Sequence, residues 1–195
     1  MPVPALVLAS TSPRRRELLA AAGLSCVVVA PVDVDETPLP GEAPAALVCR
    51  LAEAKAGSVA RRYPAHWVLG ADTVVWHAGS SLGKPADLAE ARAFLRHLAG
   101  ATHQVYTGVS LQCVARASNT TWSSVAHVTF RSLSDAELTH ALTLTNPLDK
   151  AGAYAIQEQE AVLIAGFTGL RSTIIGLPVE EVVARLAALG GPVSG

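Results

Sequence analysis

A short apolar run, Leu6-Val7-Leu8-Ala9, passes through Ser10-Thr11-Ser12 straight into Pro13-Arg14-Arg15-Arg16-Glu17-Leu18-Leu19. The pattern is a strand that turns within three hydroxyl residues into a helix, and it asks for helices packed on a sheet. Pro13 suits the first helical position, where a missing N–H costs nothing. Three arginines in the first turn oppose the helix dipole, whose N-terminal end favours anions. An anion held between the free N–H groups, the hydroxyls and the guanidinium groups removes that conflict, and phosphate is the obvious candidate. Taken alone, the run also reads as a solvated basic turn, because Ser/Pro/Arg stretches are common.

The rest of the chain alternates strand-like and helix-like segments, which predicts an α/β fold. A helix over 14–22 stops at Gly23, a β-rich run covers 26–30, and a loop with two prolines and three acids spans 32–41. A helix over 43–62 ends before Pro64. Trp67 to Leu69 and Thr73 to Trp76 read as strand on either side of Gly70-Ala71-Asp72. A helix over 87–98 is closed by Gly100, and runs 104–113 and 123–130 are spaced as an antiparallel pair. Ser134-Asp135-Ala136-Glu137 is a capping box, with Leu133 and Leu138 placed as its staple. A last helix from Pro178 carries Glu180 and Glu181 in its first turn and an apolar stripe of Val179, Val182, Val183, Leu186 and Leu189.

Composition narrows the function classes. The 195 residues suit one domain and are enough to bury a core. Half of them are hydrophobic and 16% are charged, which excludes intrinsic disorder. A net charge of −1 provides no field for nucleic acid or an anionic membrane, and 5% aromatic content is low for a base-stacking platform. Apolar runs stop well short of the ~18 residues a membrane span needs. Val3 to Ala9 contains a proline and has no basic segment ahead of it, so it reads as a first strand rather than a signal peptide. Cys26, Cys49 and Cys113 form neither a CxxC pair nor a ladder and read as small buried hydrophobes of a cytoplasmic protein.

Several residues stand out as chemical candidates. Asp72 follows a hydrophobic strand, where ligand crevices of α/β proteins form, and suits metal ligation or proton acceptance from water. A turn aspartate bonded to its own backbone is the plainer alternative. Three lysines, Lys55, Lys84 and Lys150, stand against twelve arginines, so each is a candidate point charge for phosphate. Lys84 is pinned between Gly83 and Pro85. Asp33, Asp35 and Glu36 form a second acidic cluster, able to share Mg²⁺ with Asp72 or simply to be solvated. His103, Tyr106 and Thr107 read as strand residues with a packing role. Gln157, in a loop-like Tyr154-Ala155-Ile156-Gln157, offers an amide that both donates and accepts.

Seven motifs in order, LASTSPRRRELL, RLAEAKA, GADTVV, LGKP, HQVYTGV, PLDKAGAYAIQ and IIGLPV, resemble the Maf family of nucleoside triphosphate pyrophosphatases across nearly the whole chain. The resemblance implies a single Maf-like domain over 1–195, with an inosine-triphosphatase-like mixed curved sheet, flanking helices and two lobes around a cleft. It implies hydrolysis of a nucleoside triphosphate to the monophosphate and pyrophosphate, dependent on Mg²⁺ or Mn²⁺, with cleansing of modified nucleotides as one use. Asp72, Lys84 and Glu36 are the implied catalytic residues, with Glu36 and Asp72 on the metal. Ser10, Arg15, Lys55 and Lys84 are implied phosphate ligands. Arg14, Thr73 and Gln157 stand at the three positions that divide the family by base, and they resemble the dTTP/UTP branch. The branch preferring 7-methyl-GTP has an aromatic residue, a Gln and a Glu there. The family also implies a homodimer and, as an alternative role, a nucleotide-binding regulator of septum formation and cell division. Glu158-Gln159-Glu160 depart from the glycine that commonly follows Gln157 in the family, and Gly169 to Thr173 depart from the usual GSYSN.

Overall fold

The structure is a computed structural model, and it describes residues 6–192. Val3 to Ala5 of the expected first strand therefore lie outside the described residues. Strands β1 (Leu6–Ala9), β2 (Val27–Val29), β3 (Trp67–His77), β4 (Ser80–Leu82), β5 (Thr102–Cys113), β6 (Ser118–Phe130) and β7 (Ile164–Thr168) form one mixed sheet. Its order is β2-β1-β3-β5-β6-β7, with β4 paired to β3. The strands β2, β1 and β3 are parallel, whereas β4 and β7 are antiparallel to β3 and β6. Side-chain bonds Thr102–Thr129, Gln104–His127 and Ser110–Thr121 run in opposing numerical directions, as antiparallel β5 and β6 require. The helices are α1 (Pro13–Ala21), α2 (Pro44–Ala60), α3 (Leu88–Leu98), α4 (Asp135–Thr143), α5 (Ile156–Leu163), α6 (Arg171–Ile175) and α7 (Val179–Ala188).

The chain divides into two compact units. The first holds the chain up to Asp72, Thr107–Ser124 and the part from Gly176 onward. Its core joins Leu6 and Leu8 of β1, Leu69 and Ala71 of β3, Val109 and Leu111 of β5, and Val182 and Leu186 of α7. Helix α1 ends as the sequence predicts: Gly23 has φ 75°, its N–H donates to Ala20, and Leu24 N–H donates to Leu19 across 2.9 Å. This is the Schellman arrangement, with Leu19 and Leu24 sealing it in the same core.

The second unit holds Thr73–Tyr106 and Val125–Ile175. Phe130, Leu95, Leu98, Leu138 and Leu163 lie at its centre. Asp87 caps α3 by accepting from Glu90 N–H, and the Ser134–Glu137 capping box opens α4 in both directions.

Three expectations need correction. The Gly70-Ala71-Asp72 segment is no break, because β3 runs unbroken from Trp67 to His77 and Asp72 lies inside it. Gly70 serves close packing instead: a Cβ there would overlap the Ala52 carbonyl and the Ala56 nitrogen of α2. Gln157 is not in a loop but in the first turn of α5. Of the cysteines, only Cys113 is buried; Cys26 and Cys49 are half-buried.

Candidate active site

Helix α2 buries Leu47, Val48, Leu51, Ala52, Ala56 and Val59 along one face, and Lys55 belongs to that same face. An ammonium group so placed needs a partner, because an unpaired buried charge is strongly unfavourable. It has two. Lys55 Nζ lies 2.6 Å from Asp72 Oδ1 and 2.7 Å from Glu36 Oε1. Helix, strand and loop each contribute one residue, all within the first unit. The close α2–β3 approach that Gly70 permits brings Lys55 and Asp72 together.

Glu36 is half in water and reaches the pair because its loop is tied down. Arg50 and Glu42 form a two-pronged ion pair, Nε–Oε1 and Nη2–Oε2 both at 2.7 Å, and Arg50 also donates to the Thr37 carbonyl. Glu42 accepts from Leu39 N–H as well. The Arg50 fork and that N–H hold the Glu42 carboxyl down at about 2. Asp35 accepts from Thr37 N–H, and Asp33 is exposed with φ 54°. Of the three loop acids, Glu36 is the one paired with Lys55.

Next to this centre, Arg15 ties the interior of β3 to the residue that follows α6. Its Nη1 donates to the Ala71 carbonyl at 2.8 Å and to Ser10 Oγ at 3.2 Å, while Nε donates to the Gly176 carbonyl at 2.8 Å. Ser10 Oγ also accepts from Ser12 N–H. Burial pulls the guanidinium below its ordinary range, and the Asp72 carboxylate opposes that pull. Helix α1 has no acid in its first turn, and the Ser12 side chain does not cap it. Arg14 is half-buried in that same turn. Ser10, Arg14, Arg15, Glu36, Lys55 and Asp72 therefore all belong to the first unit.

Thr73, Lys84 and Gln157 belong to the second unit, and each is described within it. Thr73 follows Asp72 in β3. Lys84 is exposed in the turn after β4, where the Gly83 carbonyl accepts from Gly152 N–H at 3.0 Å. Gly152 has φ 66° and a Cβ there would press on Val75, so only glycine fits that bond. Gln157 is exposed at the start of α5.

Two buried polar residues here escaped the sequence reading as site neighbours. Gln159 accepts from Ala155 N–H at 2.7 Å and donates to the Ala141 carbonyl at 2.8 Å. His103 Nε2 pairs with the Tyr154 hydroxyl at 2.8 Å, and its Nδ1 is buried without a partner. Burial, helped by His77, lowers the His103 imidazole to about 3, and burial pushes the Tyr154 hydroxyl up.

Two carboxylate oxygens that meet one ammonium nitrogen also fit a small hard cation, since oxygen donors are what Mg²⁺ and Mn²⁺ select. Among the described residues no group of three or more His, Cys, Asp or Glu is placed to hold an ion. The protein thus offers two carboxylates, and phosphate and water oxygens would complete the shell, as is usual for Mg²⁺ on nucleotides.

Residues 5–189 match the family described as Maf-like protein. The chain belongs to the Maf family. It is similar to a dTTP/UTP pyrophosphatase of Myxococcus xanthus, 51% identical with 96% of this chain and 93% of the relative covered. A second relative of that name, from Geobacter metallireducens, is 44% identical over 95% of this chain and 96% of its own length. Among solved structures, a HAM1 protein from Coxiella burnetii shares the fold at 15% identity and a TM-score of 0.50, covering 94% of this chain and 98% of that one. The Maf membership accounts for the order of the motifs along the chain, and the HAM1 likeness fits the mixed α/β sheet. Among the described residues no helix is long and apolar enough to cross a membrane.

Proposed function

We propose that this Maf-family chain hydrolyses dTTP and UTP between the α- and β-phosphates, giving dTMP or UMP and pyrophosphate. The observation that carries the reading is the convergence of Asp72 and Glu36 on Lys55, with oxygens 2.6 and 2.7 Å from one nitrogen. A centre of two carboxylates held by one buried ammonium is suited to take a proton from an attacking water and to hold a divalent cation facing a polyanionic substrate. The relatives named dTTP/UTP pyrophosphatase support the choice of reaction.

Asp72 orients the water in line with the scissile bond and accepts its proton. Lys55 keeps positive charge beside both carboxylates. Lys84, exposed at its turn, neutralises the departing pyrophosphate, and Ser10 takes a phosphate oxygen just before α1. Arg15, with three donor contacts to the protein, adds charge and holds Ser10 and the Asp72 strand in place. Asp72 and Glu36 would hold Mg²⁺ or Mn²⁺, which when bound neutralises phosphate charge and acidifies water. Arg14, Thr73 and Gln157 read the base: an amide matches the O4 and N3–H edge of uracil or thymine, and a guanidinium donates to its carbonyl oxygens. A cytoplasmic location goes with such a substrate.

The test is product analysis by phosphorus NMR on dTTP, UTP, CTP and 7-methyl-GTP with Mg²⁺ or Mn²⁺. Monophosphate and pyrophosphate from dTTP and UTP, with little from the others, is the expected result. Preference for 7-methyl-GTP would overturn the base assignment and keep the chemistry. No cleavage by folded protein would overturn the reaction and favour a nucleotide-binding regulatory role.

A further inference from the structure

We infer that Gln159, a residue outside the proposed contacts, is a positioning residue that sets base selectivity by fixing the helix start on which Gln157 stands; the inference rests on the base-reading role of Gln157 proposed above.

The argument begins with what an amide can read. Uracil presents an acceptor at O4 beside a donor at N3, and cytosine presents the reverse. A glutamine amide carries one acceptor and one donor group, so a half-turn lets it fit either base. Gln157 distinguishes them only if its backbone is held firmly enough to favour one orientation. Its own surroundings provide little restraint, since it is exposed in the first turn of α5. The helix start lacks an ordinary cap as well: Ala155 stands at the capping position and has no side chain to accept from the first-turn N–H groups.

Gln159 supplies the missing restraint from within the helix. It is 1% exposed, and both ends of its amide are used. Its Oε1 accepts from Ala155 N–H at 2.7 Å, two residues before Gln157, and its Nε2 donates to the Ala141 carbonyl at 2.8 Å, near the end of α4. The second bond ties the Gln157 turn to a separate helix. One residue ahead of Ala155, the Tyr154 hydroxyl bonds His103 on β5 and anchors the incoming chain. The segment that presents Gln157 is thus fixed at two points by buried polar bonds. Such bonds are directional, and once broken they leave buried groups unsatisfied, so they define one geometry.

The test compares kcat/KM for UTP with that for CTP in wild type, Gln159→Leu, Gln157→Ala and the double variant. Gln159→Leu keeps most of the volume and deletes both bonds. Its UTP:CTP ratio is expected to fall at least fivefold, through the KM for UTP, with kcat changed less than twofold. A purely structural loss lowers the amount of active enzyme, which cancels in the ratio. In the Gln157→Ala background, Gln159→Leu is expected to lower the ratio no further. If Gln159→Leu does not fold, Gln159→Glu serves: it retains the acceptor for Ala155 and sets an acceptor against the Ala141 carbonyl, with the same expected fall. An unchanged ratio in a folded Gln159 variant, where Gln157→Ala lowers it, overturns the positioning role alone. An unchanged ratio in Gln157→Ala overturns the base-reading role and the inference with it.

Discussion

Lys55 Nζ stands 2.6 Å from Asp72 Oδ1, joining the buried face of a helix to the middle of a strand. With Glu36 as a third member, the cluster leaves one ammonium between two carboxylates. A stability role alone is a weak explanation, because buried ion pairs are often no better than well-packed apolar residues. The catalytic role proposed for the two carboxylates explains it better.

Lys55→Met should leave two carboxylates crowded and unneutralised. Removing one partner of a buried ion pair costs about 3–5 kcal/mol. In a chain of this length that lowers the melting temperature by roughly 6–20 °C. Calorimetry at neutral pH checks it, and a change under 2 °C would mean that the pair is solvated.

Gly70→Ala tests the close approach of α2 to β3. The added methyl meets the Ala52 carbonyl, so the helix must shift, at an overpacking cost of about 1–3 kcal/mol. Because the shift moves Lys55 relative to Asp72, turnover should fall more than stability does. Urea melts and dTTP hydrolysis on the same preparation separate the two effects.

His103 gives the fold an acid limb. Its imidazole titrates near 3 in the native state, against an ordinary value of 6.5, so the native protein binds fewer protons between those values. Stability from this source is full above about pH 6.5, declines as pH falls, and levels off below about 3. The span corresponds to roughly 5 kcal/mol, at about 1.4 kcal/mol per pH unit. His103→Gln should flatten the urea midpoint between pH 6.5 and 4, where wild type declines.

The β3–β4 hairpin is open to improvement. Ala78 and Gly79 have φ 48° and 81° between the paired residues His77 and Ser80. Two-residue turns with both φ values positive favour Asn-Gly. Ala78→Asn should stabilise the chain by about 0.5–1 kcal/mol without changing turnover, as thermal melts and an activity assay would show.

The parts of the fold legible in the sequence are those encoded locally. The Ser134–Glu137 box, the Gly23 stop and the α7 stripe each act within a few residues and appear as expected. What stayed hidden depends on distant partners. Gly70 looked like a chain break because its partner, α2, is invisible to local pattern. Helix α5 lacked a start signal because its restraint comes from Gln159, whose other partner lies 18 residues away. Strands β4 and β7 are short, with little periodicity to read. Asp72, Lys55 and Glu36 were each legible as candidates, but their convergence depends on the Gly70 approach and the Arg50–Glu42 tie.

The most direct test of the account is dTTP hydrolysis by Asp72→Asn beside wild type, both shown to be folded by circular dichroism and melting. Asparagine keeps the shape and removes the charge and the proton acceptor. Loss of a general base costs about 10²–10⁴ in rate. The account predicts dTMP and pyrophosphate from wild type and at least a hundredfold lower turnover from the variant. A folded variant with turnover within a few fold of wild type would contradict it and remove Asp72 from the reaction.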